Sequence, residues 1–137
     1  MSFVVYVQFF HNREPWGIPR KVIRAIFSEV LREIDKDHWQ LDYGPEEWSD
    51  LLLSSITKSP DYIHHVAVER PCKDFRLWEA VFHLLKMENG LFYFPGSGPC
   101  VSSLSVVEHI PSEILEVLGN PVVIQKASDL VQYVVTV

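Results

Sequence analysis

The sequence predicts an α/β fold, with an α+β arrangement as the alternative. It would be one domain over residues 1–137, a mixed, mostly antiparallel sheet with two main amphipathic helices packed on it. Three observations lead there. Residues 3–10, FVVYVQFF, are continuously apolar and rich in valine and aromatics, as suits a central strand covered on both faces. Short apolar runs separated by turn residues between 38 and 69 read as an antiparallel meander. Two further stretches carry apolar residues at steps of three and four, the period of a helix.

Taken in order, the first strand leads through HNREPWGIP, a connection of turn residues, to Pro19, which suits the first turn of a helix. From Arg20 to Ile34 the apolar positions are Val22, Ile23, Ile26, Phe27, Val30, Leu31 and Ile34, with Lys21, Arg24, Glu29, Arg32 and Glu33 opposite, so one helix is expected over the whole stretch. HWQLDYG (38–44), LLLSSI (51–56) and IHHVAVE (63–69) are the candidate strands of the meander, with TKSPDY as a turn between the last two. Asp74 is placed to cap a second helix bearing Phe75, Leu77, Trp78, Val81, Phe82, Leu84 and Leu85, which Asn89-Gly90 would end. LFYF (91–94) reads as a buried strand and VSSLSVV is ambiguous. Ser112 is expected to cap a short helix closed by Gly119, and VVIQ (122–125) to form a strand. Ser128-Asp129 opens either a last helical turn or a strand through YVVTV.

Composition excludes several classes. No window approaches the ~18 apolar residues of a membrane-spanning helix, and the apolar N-terminus lacks the basic flank and small-residue cleavage site of a signal peptide. Cys72 and Cys100, isolated from each other, make neither a zinc pattern nor a disulfide framework and read as thiols of a reducing cytoplasm. The formal charge of −6 is uneven. Between Glu33 and Asp50 lie seven acids against Lys36 alone; with 18 acids and 12 bases in total, eleven of each remain elsewhere and cancel. Such a segment repels nucleic acid and attracts a basic protein.

The motifs of catalysis are weak. GLFYFPGSGPC (90–100) places a Pro/Gly knot after an apolar strand, but it has no lysine, no P-loop spacing and no clear following helix, so a turn is expected rather than a phosphate cradle. The six histidines show no tight ligand spacing. His64 and His65 are adjacent on a strand, so without a bulge they would face opposite ways. His83, four residues after Glu79 on the second helix, reads as a surface contact. Neither a nucleophile elbow nor a Cys/His signature occurs, although Cys72 stands near a helix start, where a thiol pKa can fall. No metal or other cofactor is expected.

Within the acidic segment Trp39, Tyr43 and Trp48 are interleaved with Asp35, Asp37, Asp42, Glu46, Glu47 and Asp50. Solvated charge is the plain reading, but aromatic residues among charges also suit a protein-binding surface. These nine residues are the candidate partner-binding site, with the acids as charge complement and the aromatics as anchors.

The C-terminal half carries Arg70-Pro71-Cys72, Asp74, Arg76-Leu77-Trp78-Glu79-Ala80, Tyr93-Phe94-Pro95-Gly96, His109-Ile110-Pro111 and Leu118-Gly119-Asn120-Pro121. In these blocks it resembles a bacterial family of small stand-alone proteins similar to the immunity proteins of contact-dependent growth inhibition and other polymorphic toxin systems. The resemblance implies a non-catalytic, cytoplasmic protein that binds the C-terminal domain of a cognate toxin; no catalytic residue carries over. The first 60 residues match no part of that pattern. Together with the acidic segment, the expectation is a nuclease inhibitor that covers a basic active site, monomeric or homodimeric, binding neither nucleic acid nor membrane. The alternatives are a small enzyme using Cys72, His64, His65 or His109, and a dimerising adaptor.

Overall fold

A computed structural model describes residues 3–95 and 97–135. Its elements are β1 Val4–His11, β2 Glu14–Pro15, β3 Ile18–Pro19, α1 Arg20–Ile26, β4 Leu31–Asp35, β5 His38–Asp42, β6 Trp48–Ile56, β7 Ser59–Glu69, α2 Phe75–Leu85, β8 Asn89–Tyr93, β9 Cys100–Val101, a 3-10 turn Leu104–His109, α3 Ser112–Leu118, β10 Val122–Val123 and α4 Ala127–Val135. One sheet runs in the order β10-β9-β8-β1-β7-β6-β5-β4, with β2 on β1 and β3 on β7. All pairings are antiparallel except β9 with β10. The expected mixed, mostly antiparallel sheet is present, and β4 to β7 form the meander.

The apolar first strand is explained by two cores. Val5, Val7 and Phe9 face the main core with Ile23, Trp39, Leu41, Leu77, Leu84 and Leu130, drawn from α1, β5, α2 and α4. Phe10 turns the other way into a second cluster with Leu91, Val101, Val106 and Ile110, under the 3-10 turn and α3. Each fully buried phenylalanine contributes about 1.5–3 kcal/mol. Helices therefore cover one face, and the 3-10 turn and α3 cover part of the other. The uncovered remainder presents half-buried Tyr6, Gln8, His65, Leu52, His38 and Gln40.

The long first helix is corrected. Helix ends at Ile26, and Leu31–Asp35 is a strand paired with β5, Leu31 opposite Leu41. Seven residues cannot sustain a helix by propensity, whereas β5, with Trp39 and Leu41 buried, gains a strand partner on its open edge. Ile34 thereby becomes 50% exposed, the opposite of the helical reading.

Smaller corrections have local causes. TKSPDY turns only at Thr57-Lys58, because Ser59 already pairs with Ile56. Helix α2 is capped by Asp74, whose carboxylate accepts from the Arg76 amide at 2.9 Å, as expected. It ends at Leu85, however, and Asn89-Gly90 open β8. Glu88 takes the left-handed backbone, φ 44°. A Cβ at Gly90 would lie 2.5 Å from the Leu85 carbonyl oxygen, so this glycine permits close approach rather than a cap. Ser112 begins α3 behind Pro111 and makes no capping bond, while Gly119, φ 96°, closes the helix. The VVIQ strand shrinks to Val122–Val123. Ser128-Asp129 lie in α4, where Asp129 accepts from the Gln125 amide; Thr136 and Val137 lie outside the described residues.

Candidate functional site

Strand pairing rearranges the acidic segment. Asp35 ends β4 and Asp37 lies in the turn that follows it, whereas Asp42 ends β5 and Glu46 and Glu47 lie in the β5–β6 connection. The five residue steps from Asp37 to Asp42 hold the two groups apart by about 16 Å. The first group is occupied at home. Asp35 accepts from the Asp37 amide, and Asp37 pairs with Arg20 at 3.1 Å. Arg20 also donates to the carbonyls of Lys36 and Pro60, stitching that turn to β7. Glu33 pairs with Arg24.

Two of the three expected anchors are core residues. Trp39 is 0% exposed because its position on β5 faces the helices; Arg24 sits 4.8 Å over its ring. Tyr43 is 9% exposed, with the Arg76 guanidinium 5.3 Å from its ring and bonded to its carbonyl. Its phenol pKa is raised, first by burial and then by Cys72 and Asp74, with Arg76 opposing. Neither can serve as a surface anchor: Trp39 takes an inward position on β5, and Tyr43, just past the strand's end, is buried beside Arg76.

Trp48 is the aromatic that reaches solvent. It is half-buried at the start of β6, opposite Asp42, and the Arg70 guanidinium lies 3.9 Å over its ring. Arg70 has left-handed backbone, φ 53°. Trp48 borders two hollows, one with Glu46, Glu47, Arg70 and Lys73, the other with Gln40, Asp42, Gly44 and Pro45. Asp50 sits between Gln40 on β5 and Glu69 on β7, and its carboxylate accepts from His38 Nε2 at 2.8 Å. Glu69 enters the surface solely through that cross-strand pairing. Its only sequence signal was membership of the 63–69 strand. Among the described residues Asp42, Glu46, Glu47 and Glu69 form no ion pair.

The motif residues of the C-terminal half hold this surface in place. Buried Ser49 donates to the Arg70 carbonyl and accepts from the Cys72 amide, and the Trp78 indole donates to the Cys72 carbonyl at 3.1 Å. Glu47 accepts from the Lys73 amide at 3.0 Å. His109 likewise braces the β1–β2 turn: its Nδ1 and carbonyl accept from the amides of Asn12 and Arg13, which both have positive φ. In the Pro/Gly loop the Tyr133 hydroxyl donates to the Gly98 carbonyl at 2.7 Å and accepts from Ser97, which fits a braced turn; Gly96 lies outside the described residues.

The other candidate nucleophiles and bases are poorly placed. Burial pushes the Cys72 thiol up, more than the hydrogen bonds from the Asp74 backbone and Ser49 lower it. Burial pushes Cys100 up to about 12. His64 and His65 do not face opposite ways: the register of β6 on β7 jumps at His64, between the buried Ile63 and Val66, and the two rings lie 6.4 Å apart. Both pKa values are lowered by burial, and His65 also by His64. No group of three or more His, Cys, Asp or Glu suited to a metal ion occurs among the described residues. Among the described residues no helix is long and apolar enough to cross a membrane. No protein-family model, no curated protein and no solved structure matches this chain.

Proposed function

We propose that this chain is a protein-binding module of immunity type, acting in the cytoplasm, which neutralises the C-terminal domain of a cognate toxin by covering its basic active site. A nuclease is the favoured toxin, because a site that holds phosphates is basic. The observation that carries the reading is the surface around Trp48: a half-exposed indole bordered by Asp42, Glu46 and Glu47, with Asp50 and Glu69 beside it across the β5–β6–β7 pairings. Carboxylates without ion pairs steer a cationic partner and raise its association rate. The proposed contact residues lie at the Trp48 end of β5 rather than at Asp35, Asp37, Trp39 and Tyr43, of which the first two are bonded at the other end and the last two are buried.

The test is co-purification with the toxin domain encoded next to this chain's gene, followed by association kinetics. Changing Asp42, Glu46, Glu47 and Glu69 together to their amides should slow association at low salt and flatten its salt dependence. An unchanged rate at low salt would sink the electrostatic mechanism. The dimerising reading keeps one supporting observation: the edge strand β10 exposes Val122 and Val123. Light scattering that finds only monomer at high concentration would remove it.

A further inference from the structure

Resting on the acidic surface proposed above, we infer that the hollow lined by Gln40, Asp42, Gly44, Pro45 and Trp48 receives the guanidinium of an arginine side chain from a partner protein. Three observations meet there. The Arg70 guanidinium stacks 3.9 Å over the Trp48 ring, and the same indole also lines this hollow. Arg70 does not line this second hollow, of about 480 Å³, and neither does any other cation. Asp42 stands directly across the strand pair from Trp48 and is exposed. Its Oδ1 accepts from the Gly44 amide at 3.0 Å, which fixes the carboxylate, while Oδ2 has no partner among the described residues.

The chemistry selects arginine. A planar guanidinium can lie on an indole and donate sideways to a carboxylate and an amide oxygen at once, and it is more weakly hydrated than an ammonium. The Gln40 side chain supplies the amide oxygen from the neighbouring position on the same face of β5. Gly44 leaves the rim open: nothing lies within 4 Å of where its Cβ would be.

The probe is acetyl-tetraarginine amide, with its tetralysine and tetracitrulline counterparts, titrated into the intact protein at low salt. The readout is the indole N–H resonance of each of the four tryptophans, the buried Trp39 and Trp78 serving as internal controls. The arginine peptide should move the Trp48 resonance saturably, the lysine peptide severalfold more weakly, and the uncharged citrulline peptide not at all. Asp42→Asn keeps the oxygen that accepts from Gly44 and removes only the charge, so the loop survives; it should weaken arginine binding about five- to tenfold. Trp48→Leu, followed through the Gly44 amide resonance at the same hollow, should show no saturable shift with the arginine peptide. If the arginine peptide binds Asp42→Asn with unchanged affinity, this hollow is not the site. Should that residual binding be lost on neutralising Glu46, Glu47 and Glu69, the acidic-surface reading stands without the arginine subsite. Absence of any cationic peptide binding overturns the subsite outright, while co-purification with the toxin domain still decides the wider reading.

Discussion

The hydroxyl of Ser49 and the amide of Cys72 meet at 2.9 Å, and the same hydroxyl donates to the Arg70 carbonyl at 2.8 Å. One fully buried side chain on β6 thus satisfies two backbone groups of the segment leading into α2. That segment also carries Arg70, which lies on Trp48, and Lys73, whose amide donates to Glu47. Core hydrogen bonding and the candidate surface are therefore parts of one assembly.

Ser49→Ala should cost roughly 1–3 kcal/mol, because it strands two backbone groups away from water. Urea unfolding measures it, with exposed Ser54→Ala as a control expected within about 0.5 kcal/mol of wild type. Equal midpoints for the two variants would mean the bonds are replaced by water.

Gly90→Ala and Gly119→Ala should both destabilise, for different reasons. At Gly90 a methyl group would lie 2.5 Å from the Leu85 carbonyl oxygen, backbone that cannot easily retreat. At Gly119 there is open space, and only the φ of 96° opposes a side chain, at about 1–3 kcal/mol. The Gly90 variant should be the less stable. A reversed order in thermal unfolding would contradict the close approach of β8 to the end of α2.

Stability should fall as pH drops below the ordinary histidine value of 6.5. His64 and His65 are held below that value by burial, so the unfolded chain takes up protons there first. The loss runs from 6.5 down to the depressed native values and then levels off, and above 6.5 the pair contributes nothing to the pH dependence. His64→Gln/His65→Gln should flatten this part of the profile. Identical slopes for wild type and the double variant, from urea midpoints between pH 7 and 5, would show that the native imidazoles titrate normally.

Both thiols should react sluggishly in the native protein at pH 8, Cys100 more so than the half-buried Cys72. Both should react promptly in urea. A native Cys72 that reacts as fast as the unfolded one would revive the enzyme reading.

What could be read from the chain follows from short-range patterning. The apolar run Val4 to Phe10, the meander strands and the Asp74-capped helix are legible because their side-chain periods and turn residues are local. The 20–34 stretch misleads for the same reason: its helical period is real over Val22, Ile23 and Ile26, but Leu31 answers to Leu41 across a strand pair. Trp39 and Trp48 look alike among their acidic neighbours, and the side of the sheet each faces depends on register. Glu69 joins Asp50 only because β6 and β7 pair. His64 and His65 share a face only because of the bulge at His64.

The sequence by itself determined the class of fold, the core content of its central strand and second helix, and the concentration of net charge in one segment. Tertiary structure decided which members of that segment form a surface. It divided the acids between the two ends of β5, turned Trp39 and Tyr43 inward, left Trp48 under Arg70, and brought Glu69 alongside. The physical reason is that charge and periodicity are properties of neighbours along the chain, whereas exposure and ion pairing depend on neighbours across the sheet.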